Sequence, residues 1–84
     1  MSRSDITQRV VGYVVSQIVS QPEAVRLDVV DQGPEDVVVE VTTARGDMGR
    51  VIGRRGRVAR AIRTLAQAAA DEEGLQAGVE FLDE

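Results

Sequence analysis

The 84-residue chain contains no cysteine, no histidine and no lysine. Without cysteine it can form neither a disulfide framework nor a thiolate metal site. Without histidine it lacks the side chain that proteins use most often as a general base and as a metal ligand. The sequence also has no phosphate-loop pattern G-x-x-x-x-G-K-S/T and no paired carboxylates near the glycines of residues 53–56. We therefore expect a protein that is not an enzyme and that binds no metal and no cofactor.

Long apolar runs are also absent. No segment approaches the roughly 18 continuous apolar residues of a membrane-spanning helix. Residues 1–19 intersperse polar with apolar side chains and show no small-residue cleavage site, unlike a secretory signal peptide. A chain of this length is expected to form one small domain over residues 1–84, with a single modest core. We therefore expect a one-domain cytoplasmic protein.

Positive charge is scarce overall but concentrated in one segment. The formal net charge is −4, yet residues 45–63 hold seven arginines and one acidic residue, a local charge of +6, and the rest of the chain sums to −10. The seven are Arg45, Arg50, Arg54, Arg55, Arg57, Arg60 and Arg63. This uneven distribution predicts a basic surface patch that can capture an anion, while the acidic remainder discourages indiscriminate binding.

Hydrophobic periodicity predicts an α+β domain of six elements. The predicted helices are residues 4–20, 48–52 and 57–73, and the predicted strands are residues 25–30, 36–43 and 75–82. Ser4 or Asp5 would cap the first helix, and Pro22 would end it. Asp47 would cap the second helix, and Gly74 would stop the third. The order α-β-β-α-α-β favours a three-stranded sheet with helices packed on one face, in which the first two strands form a hairpin.

On a helical wheel, the helix predicted at 57–73 carries two opposed stripes. The apolar stripe consists of Val58, Ile62, Leu65 and Ala69. The basic stripe consists of Arg57, Arg60 and Arg63. We expect the apolar stripe to pack on the sheet, and the arginines near the start of the helix to face solvent or a ligand. Arg60 and Arg63 could either contact that ligand or pair with acidic side chains.

A two-residue turn between glycines precedes this helix. Gly53 and Gly56 permit positive φ and carry no Cβ that would hold another backbone away. The turn leads into a helix N-terminus, where the first amides lack intrahelical partners and the helix dipole is positive. An anion is favoured there, and phosphate is the usual one. Arg54, Arg55 and Arg57 would add full positive charges, so the turn is a candidate phosphate-binding site.

The segment VIGRRGRVARAIRTL resembles the signature of a KH domain, in which a G-X-X-G loop between two helices clamps the backbone of about four nucleotides. The element order resembles the type II, prokaryotic form of that fold. Over nearly its whole length, the chain is similar to the KhpA (YlqC) family, the small stand-alone KH proteins of bacteria. The resemblance implies binding of single-stranded RNA and a role as an RNA chaperone or post-transcriptional regulator. It also implies a KH partner of the KhpB (Jag) type and a link to cell-envelope homeostasis and cell length.

Carried over by position, the resemblance assigns the RNA clamp to Gly53, Arg54, Arg55 and Gly56. The groove would be lined or supported by Val51, Ile52, Val58 and Ile62. Taken singly, these four apolar residues fit a core position better. Arg57 is the first residue of the helix that follows the loop and is a candidate for RNA contact. Arg60 is a further candidate. The family loop often has one basic and one polar central residue, so two arginines should raise affinity and lower discrimination.

Two further expectations concern residues outside the loop. Tyr13 and Phe81 are the only aromatic residues, and both are expected to pack rather than to stack on bases. The acidic run at 71–73 is expected to be a solvated helix end that frays, because acids oppose the helix dipole there.

A protein-interaction module is the alternative function, with a degenerate KH fold serving as a dimerisation scaffold. The small side chains of Ala66, Ala68, Ala69 and Ala70 would let the helix of another chain approach closely. The broad apolar face of the first helix could add to such a homodimer or heterodimer. A pure scaffold has no need for the two central arginines of the loop, and RNA binding and pairing are compatible.

Overall fold

A computed structural model describes residues 3–82 and contains the six expected elements in the expected order. They are α1 (Asp5–Ile18), β1 (Arg26–Asp31), β2 (Asp36–Thr42), α2 (Met48–Ile52), α3 (Arg57–Glu72) and β3 (Gln76–Phe81). Short 3₁₀ turns lie at Pro22–Ala24 and Arg54–Gly56. The predicted α+β class is therefore confirmed. Among residues 3–82, no helix is long and apolar enough to cross a membrane.

The three strands form one sheet with β2 in the centre. β1 pairs with β2 antiparallel, as the predicted hairpin requires, and β3 pairs with β2 in parallel. A parallel neighbour needs a crossover connection, which α2 and α3 provide here. Val37, Val39 and Val41 are all buried on one face of β2, where the helices cover them. The alternation read from the sequence therefore identifies the covered face of the sheet.

Small apolar side chains build the core between the sheet and the helices. Val11 and Val15 of α1 pack in one cluster with Ile62 and Ala66 of α3. Ala69 and Ala70 are also buried, so the alanine run serves contact within the chain. The expectation that this run offers a surface to another chain's helix is therefore wrong for three of its four members. Only Ala68 is exposed.

Leu65 was expected to pack on the sheet, but 44% of its surface is exposed. On the wheel it lies about 60° to one side of Ile62. The buried residues Ala59, Ala66 and Ala70 lie on the other side of Ile62 and shift the covered arc away from Leu65.

Tyr13 is also exposed, at 68%, so the expectation that it packs in the interior is wrong. The covered side of α1 is formed by Thr7, Val11 and Val15, and Tyr13 lies on the opposite side of the helix. Phe81, by contrast, is partly buried and packs against the core as expected.

Asp47 acts differently from the helix cap that the sequence suggests. It lies at the N-cap position of α2 but makes no side-chain cap bond there. Its buried carboxylate instead accepts hydrogen bonds from the Ser20 amide at 3.0 Å, the Ser20 hydroxyl at 2.9 Å and the Gln21 amide at 3.2 Å. These bonds hold the chain where it leaves α1, which ends at Ile18 rather than near Pro22.

The same bonds control the protonation of Asp47. The hydrogen bond from the Ser20 amide contributes most to lowering its pKa, burial opposes this effect, and the Ser20 hydroxyl and Gln21 amide lower the pKa further. Arg50, whose Nε lies 3.4 Å from the carboxylate, adds a smaller attraction. The charged carboxylate of Asp47 therefore links the residues that follow α1 to the start of α2 through hydrogen bonds.

Glu73 is not the solvated helix end expected for the acidic run. Its carboxylate accepts hydrogen bonds from the Ile6 amide at 2.7 Å, the Thr7 amide at 2.9 Å and the Thr7 hydroxyl at 2.6 Å. Burial raises the pKa of Glu73, but these three bonds outweigh it and leave the pKa lowered. The carboxylate thus caps α1 from outside the helix, whereas Ser4 makes no side-chain cap bond. Gly74 follows with φ of 71° and ends α3 as predicted.

Candidate nucleic-acid interface

The turn between α2 and α3 reverses the chain through three residues with positive φ. Gly53 has φ of 76°, Arg55 has φ of 59° and Gly56 has φ of 72°. Arg55 carries a Cβ, so holding it there costs roughly 1–2 kcal/mol. The tight turn places both central arginines on the surface, between the end of one helix and the start of the next.

The two glycines are needed for different reasons. A Cβ added at Gly53 would lie 2.9 Å from the backbone nitrogen of Val58 and 2.8 Å from its Cβ, closer than real contacts allow. Gly53 therefore lets the loop pack against the first turn of α3. A Cβ added at Gly56 meets no atom of residues 3–82 within 4 Å. The space over Gly56 is open, which is where the backbone of another molecule can come close.

Two amides at the start of α3 are already used within the loop. The Gly56 amide donates to the Gly53 carbonyl at 3.1 Å, and the Arg57 amide donates to the Arg54 carbonyl. The expectation that the first amides are available to an anion is therefore wrong for these two. The loop closes on itself as a 3₁₀ turn, so the features that favour an anion there are the dipole of the 16-residue helix and the arginines.

Four arginines around the loop present guanidinium groups without partners. Arg54, Arg55, Arg57 and Arg60 are exposed, and none of their side chains makes an ion pair or hydrogen bond within residues 3–82. By contrast, Arg3, Arg9 and Arg50 each lie beside a carboxylate, at 2.9 Å from Asp31, 3.0 Å from Asp5 and 3.4 Å from Asp47. The uncompensated charge is therefore concentrated at the turn.

The four apolar candidates divide into two pairs. Val51 and Ile62 are 0% and 1% exposed and belong to the core, so they support the loop from below. Ile52 and Val58 are only half-buried beside the loop. These two can offer an apolar surface to a ligand whose backbone lies on Gly56.

These geometric features can be compared with known protein families. Residues 8–81 match the sequence model described as the KhpA/KhpB KH domain. The chain belongs to this KH family. Its G-X-X-G loop is Gly53–Gly56.

Named relatives agree with the assignment. The RNA-binding protein KhpA of Chlamydia trachomatis is 38% identical over 73 residues, which cover 87% of this chain and 92% of the relative. The protein of the same name from Borreliella burgdorferi is 37% identical over 73 residues, which cover 87% and 88% of the two chains. That from Clostridium perfringens is 37% identical over 75 residues, which cover 89% and 99%. No solved structure matches this chain. The family is one of RNA-binding proteins, in agreement with the expectation of a non-enzyme.

Arg63 of the KH domain has an environment that neither sequence alternative described. Its Nε donates to the Val79 carbonyl at 3.2 Å, and its guanidinium lies 5.4 Å from the centroid of the Phe81 ring. The side chain is therefore held on the outer edge of β3 rather than paired with an acid. Sequence spacing could not reveal this contact, because it joins α3 to a strand that begins after the helix has ended.

Gln67, one turn after Arg63, holds the same edge and was not singled out from the sequence. Its Oε1 accepts from the Ala77 amide at 3.0 Å, and its Nε2 donates to the Leu75 carbonyl at 3.2 Å. One side-chain amide thus satisfies a donor of β3 and the carbonyl of the residue just before it, in the way a neighbouring strand would. The outer edge of β3 is closed by α3 at these positions.

Proposed function

We propose that this KH domain binds single-stranded RNA by clamping its backbone against the Gly53–Gly56 loop. One observation carries the proposal: the open approach over Gly56 is flanked by guanidinium groups that have no partner within residues 3–82. Guanidinium groups bind phosphate through a planar fork, so Arg54, Arg55 and Arg57 suit the sugar-phosphate backbone. Relatives named RNA-binding proteins support the same ligand.

In this mechanism, phosphates lie over Gly56 while bases turn toward the apolar surface of Ile52 and Val58. Val51 and Ile62 keep that surface in place from within the core. Contacts to phosphate carry no sequence information, so two arginines in the loop favour affinity over base discrimination. Arg60, one turn into α3, extends the basic surface along the path of the strand.

A charge-reversal variant tests the clamp. Arg54→Asp with Arg55→Asp should abolish binding of a fluorescently labelled single-stranded RNA of about ten nucleotides, measured by anisotropy, because repulsion replaces attraction at the phosphates. Arg9→Asp with Arg26→Asp changes the net charge equally on other surfaces and should bind nearly as the unmodified chain does. Circular dichroism checks that both variants are folded. Equal RNA affinity of the two folded double variants would contradict the proposal.

The cellular role is a further part of the proposal and is supported by the family resemblance. We expect an RNA chaperone or post-transcriptional regulator that acts in the cytoplasm, where its RNA ligands are made. We also expect a partner of the KhpB (Jag) type and an effect of its loss on cell-envelope homeostasis and cell length. Co-purification of a tagged chain with that partner, before and after ribonuclease treatment, tests whether the complex depends on RNA.

Self-association through the helices is the second candidate function, and specific exposed residues favour it. Ile6 and Leu65 are 44% exposed and Tyr13 is 68% exposed, so the outer side of α1 and α3 retains apolar surface although the alanine run is buried. Such a homodimer or heterodimer would lengthen the RNA footprint. Light scattering with Leu65→Glu, a change that removes no core contact, shows whether this surface joins two chains.

A further inference from the structure

The face of the sheet turned away from the helices has an ordered arrangement of charge. Residues that pair directly across strands share a face, and Val37, Val39 and Val41 point to the helices, so Val38 and Glu40 point outward. The strand registers align Asp28 with Glu40 and Glu40 with Glu80. Three carboxylates, one from each strand, therefore form a row across the outer face. We call Asp28, Glu40 and Glu80 the acidic row.

No cation neutralises the acidic row within residues 3–82. None of its three carboxylates makes an ion pair or hydrogen bond in that part of the chain. Arg26, the nearest arginine along β1, donates instead to the carbonyls of Glu23 and Val25. Like charges directly opposite each other on neighbouring strands destabilise a sheet. A cationic partner would remove this repulsion when it binds.

An apolar row lies beside the acidic row, two residues away from it on each strand. It consists of Val30, Val38 and Gly78, which are aligned by the same registers. Val30 is 37% exposed, and a shallow open hollow of about 410 Å³ touches Val38 and Gly78. The hollow also touches Gln32 and Gln76, whose amide groups can bond to a polypeptide, and it extends to Asp36 and to Gln67 of α3 at the edge of the sheet. Charge and apolar surface are therefore adjacent on a face that no helix covers.

We propose that this outer face docks an arginine- or lysine-rich segment of another protein. The inference rests on charge complementarity and goes beyond RNA binding, because an acidic surface repels a polyanion. Neighbouring strands lie about 4.8 Å apart, so the acidic row spans about 10 Å. Alternate residues of an extended segment lie about 7 Å apart, which lets two cations of one segment reach the row together. An apolar side chain beside those cations packs on Val30 and Val38.

The position of the face allows both ligands at once. The Gly53–Gly56 loop belongs to the helical layer, on the other side of the sheet from the acidic row. RNA on the loop therefore leaves the outer face accessible, and the domain can connect an RNA to a basic protein segment.

The test uses the full chain and a synthetic peptide in which three arginines alternate with leucines. In nitrogen-15 NMR titrations, the peptide should shift the amide signals of Asp28, Glu40, Gly78 and Glu80. Glu40→Gln with Glu80→Gln should weaken peptide binding at least about fivefold, since each exposed ion pair contributes only modestly. The matched control, Glu23→Gln with Glu72→Gln, removes two exposed carboxylates elsewhere and should bind the peptide as the unmodified chain does.

Three results would overturn the proposal. They are equal peptide binding by both double variants, signal changes that cluster away from the outer face, and self-association of the chain that the Glu40 and Glu80 changes abolish. The last result would assign the face to a second copy of the chain. Thermal unfolding provides a check on folding, because relief of the repulsion should leave the Glu40→Gln, Glu80→Gln variant at least as stable as the unmodified chain. Peptide binding is measured without RNA, so its failure is distinguishable from failure of the RNA-binding proposal.

Discussion

Substitution by alanine should have a different main effect at each of the two loop glycines. Gly53→Ala places a methyl group against Val58, 2.9 Å from its backbone nitrogen, in a backbone conformation with φ of 76° and ψ of 173°. Gly56→Ala places a methyl group in open space, in a left-handed conformation with φ of 72° and ψ of 17°. The first change should therefore damage the fold, and the second should damage the approach of RNA.

The magnitudes follow from the two backbone conformations. The region occupied by Gly53 is almost restricted to glycine and costs another residue about 1–3 kcal/mol, to which the overlap with Val58 adds. We expect Gly53→Ala to lower the free energy of unfolding by more than about 2 kcal/mol. For Gly56→Ala, the left-handed conformation costs roughly 1–2 kcal/mol, and the stiffer unfolded chain returns about 0.4–1 kcal/mol. We expect a net loss of stability of about 1 kcal/mol or less.

Urea unfolding and RNA anisotropy together separate the two effects. Gly56→Ala should weaken RNA binding at least about tenfold, equivalent to about 1.4 kcal/mol, while the protein remains folded. Gly53→Ala should lose binding only in proportion to its loss of folded protein. Equal destabilisation by the two substitutions, or unchanged RNA affinity of Gly56→Ala, would refute the assignment of separate roles.

Three other measurements test the hydrogen-bonded carboxylates of Asp47 and Glu73, the RNA interface and the contacts of Arg63. The lowered pKa values of Asp47 and Glu73 stabilise the fold above the unfolded-state pKa of about 4, and this contribution is lost as pH falls through the lower folded-state values. The urea concentration at the unfolding midpoint should therefore decrease as the pH falls below about 4. This decrease should be smaller in the double variant Asp47→Asn, Glu73→Gln. RNA affinity should fall with salt, with a logarithmic slope of roughly −0.7 per phosphate contacted, and salt-independent binding would argue for apolar contact instead. Arg63→Lys keeps the charge but loses the planar contact with Phe81 and the Nε bond to Val79, so the free energy of urea unfolding should fall by about 1 kcal/mol.

Local sequence patterns were sufficient for the order of elements and for the loop. The bounds of α2, Met48–Ile52, are those read from the sequence, and α3 begins at Arg57 as predicted. A turn between glycines and a helix stopped by Gly74 depend on backbone preferences of a few adjacent residues. The concentration of arginine around the turn is likewise a property of adjacent residues. Such features can be predicted because neighbours in sequence are sufficient to produce them.

The depth of burial was predicted less well. The wheel placed Leu65 and Ala69 on the same stripe, but the structure buries Ala69 and leaves Leu65 44% exposed. Both residues are apolar, so periodicity alone could not say where the covered arc ends. The position of α1 and the sheet against α3 decides it.

The sequence by itself determined the α-β-β-α-α-β order, the positive-φ turn at Gly53–Gly56 and the concentration of arginine beside it, because each depends on residues close together along the chain. Only the tertiary structure decided that Gly53 is packed and Gly56 open, that Glu73 caps a helix 66 residues away at Thr7, and that Asp28, Glu40 and Glu80 form one row. These relations depend on which distant segments meet. The packing of the whole chain sets that, through burial and hydrogen bonds that no local pattern encodes.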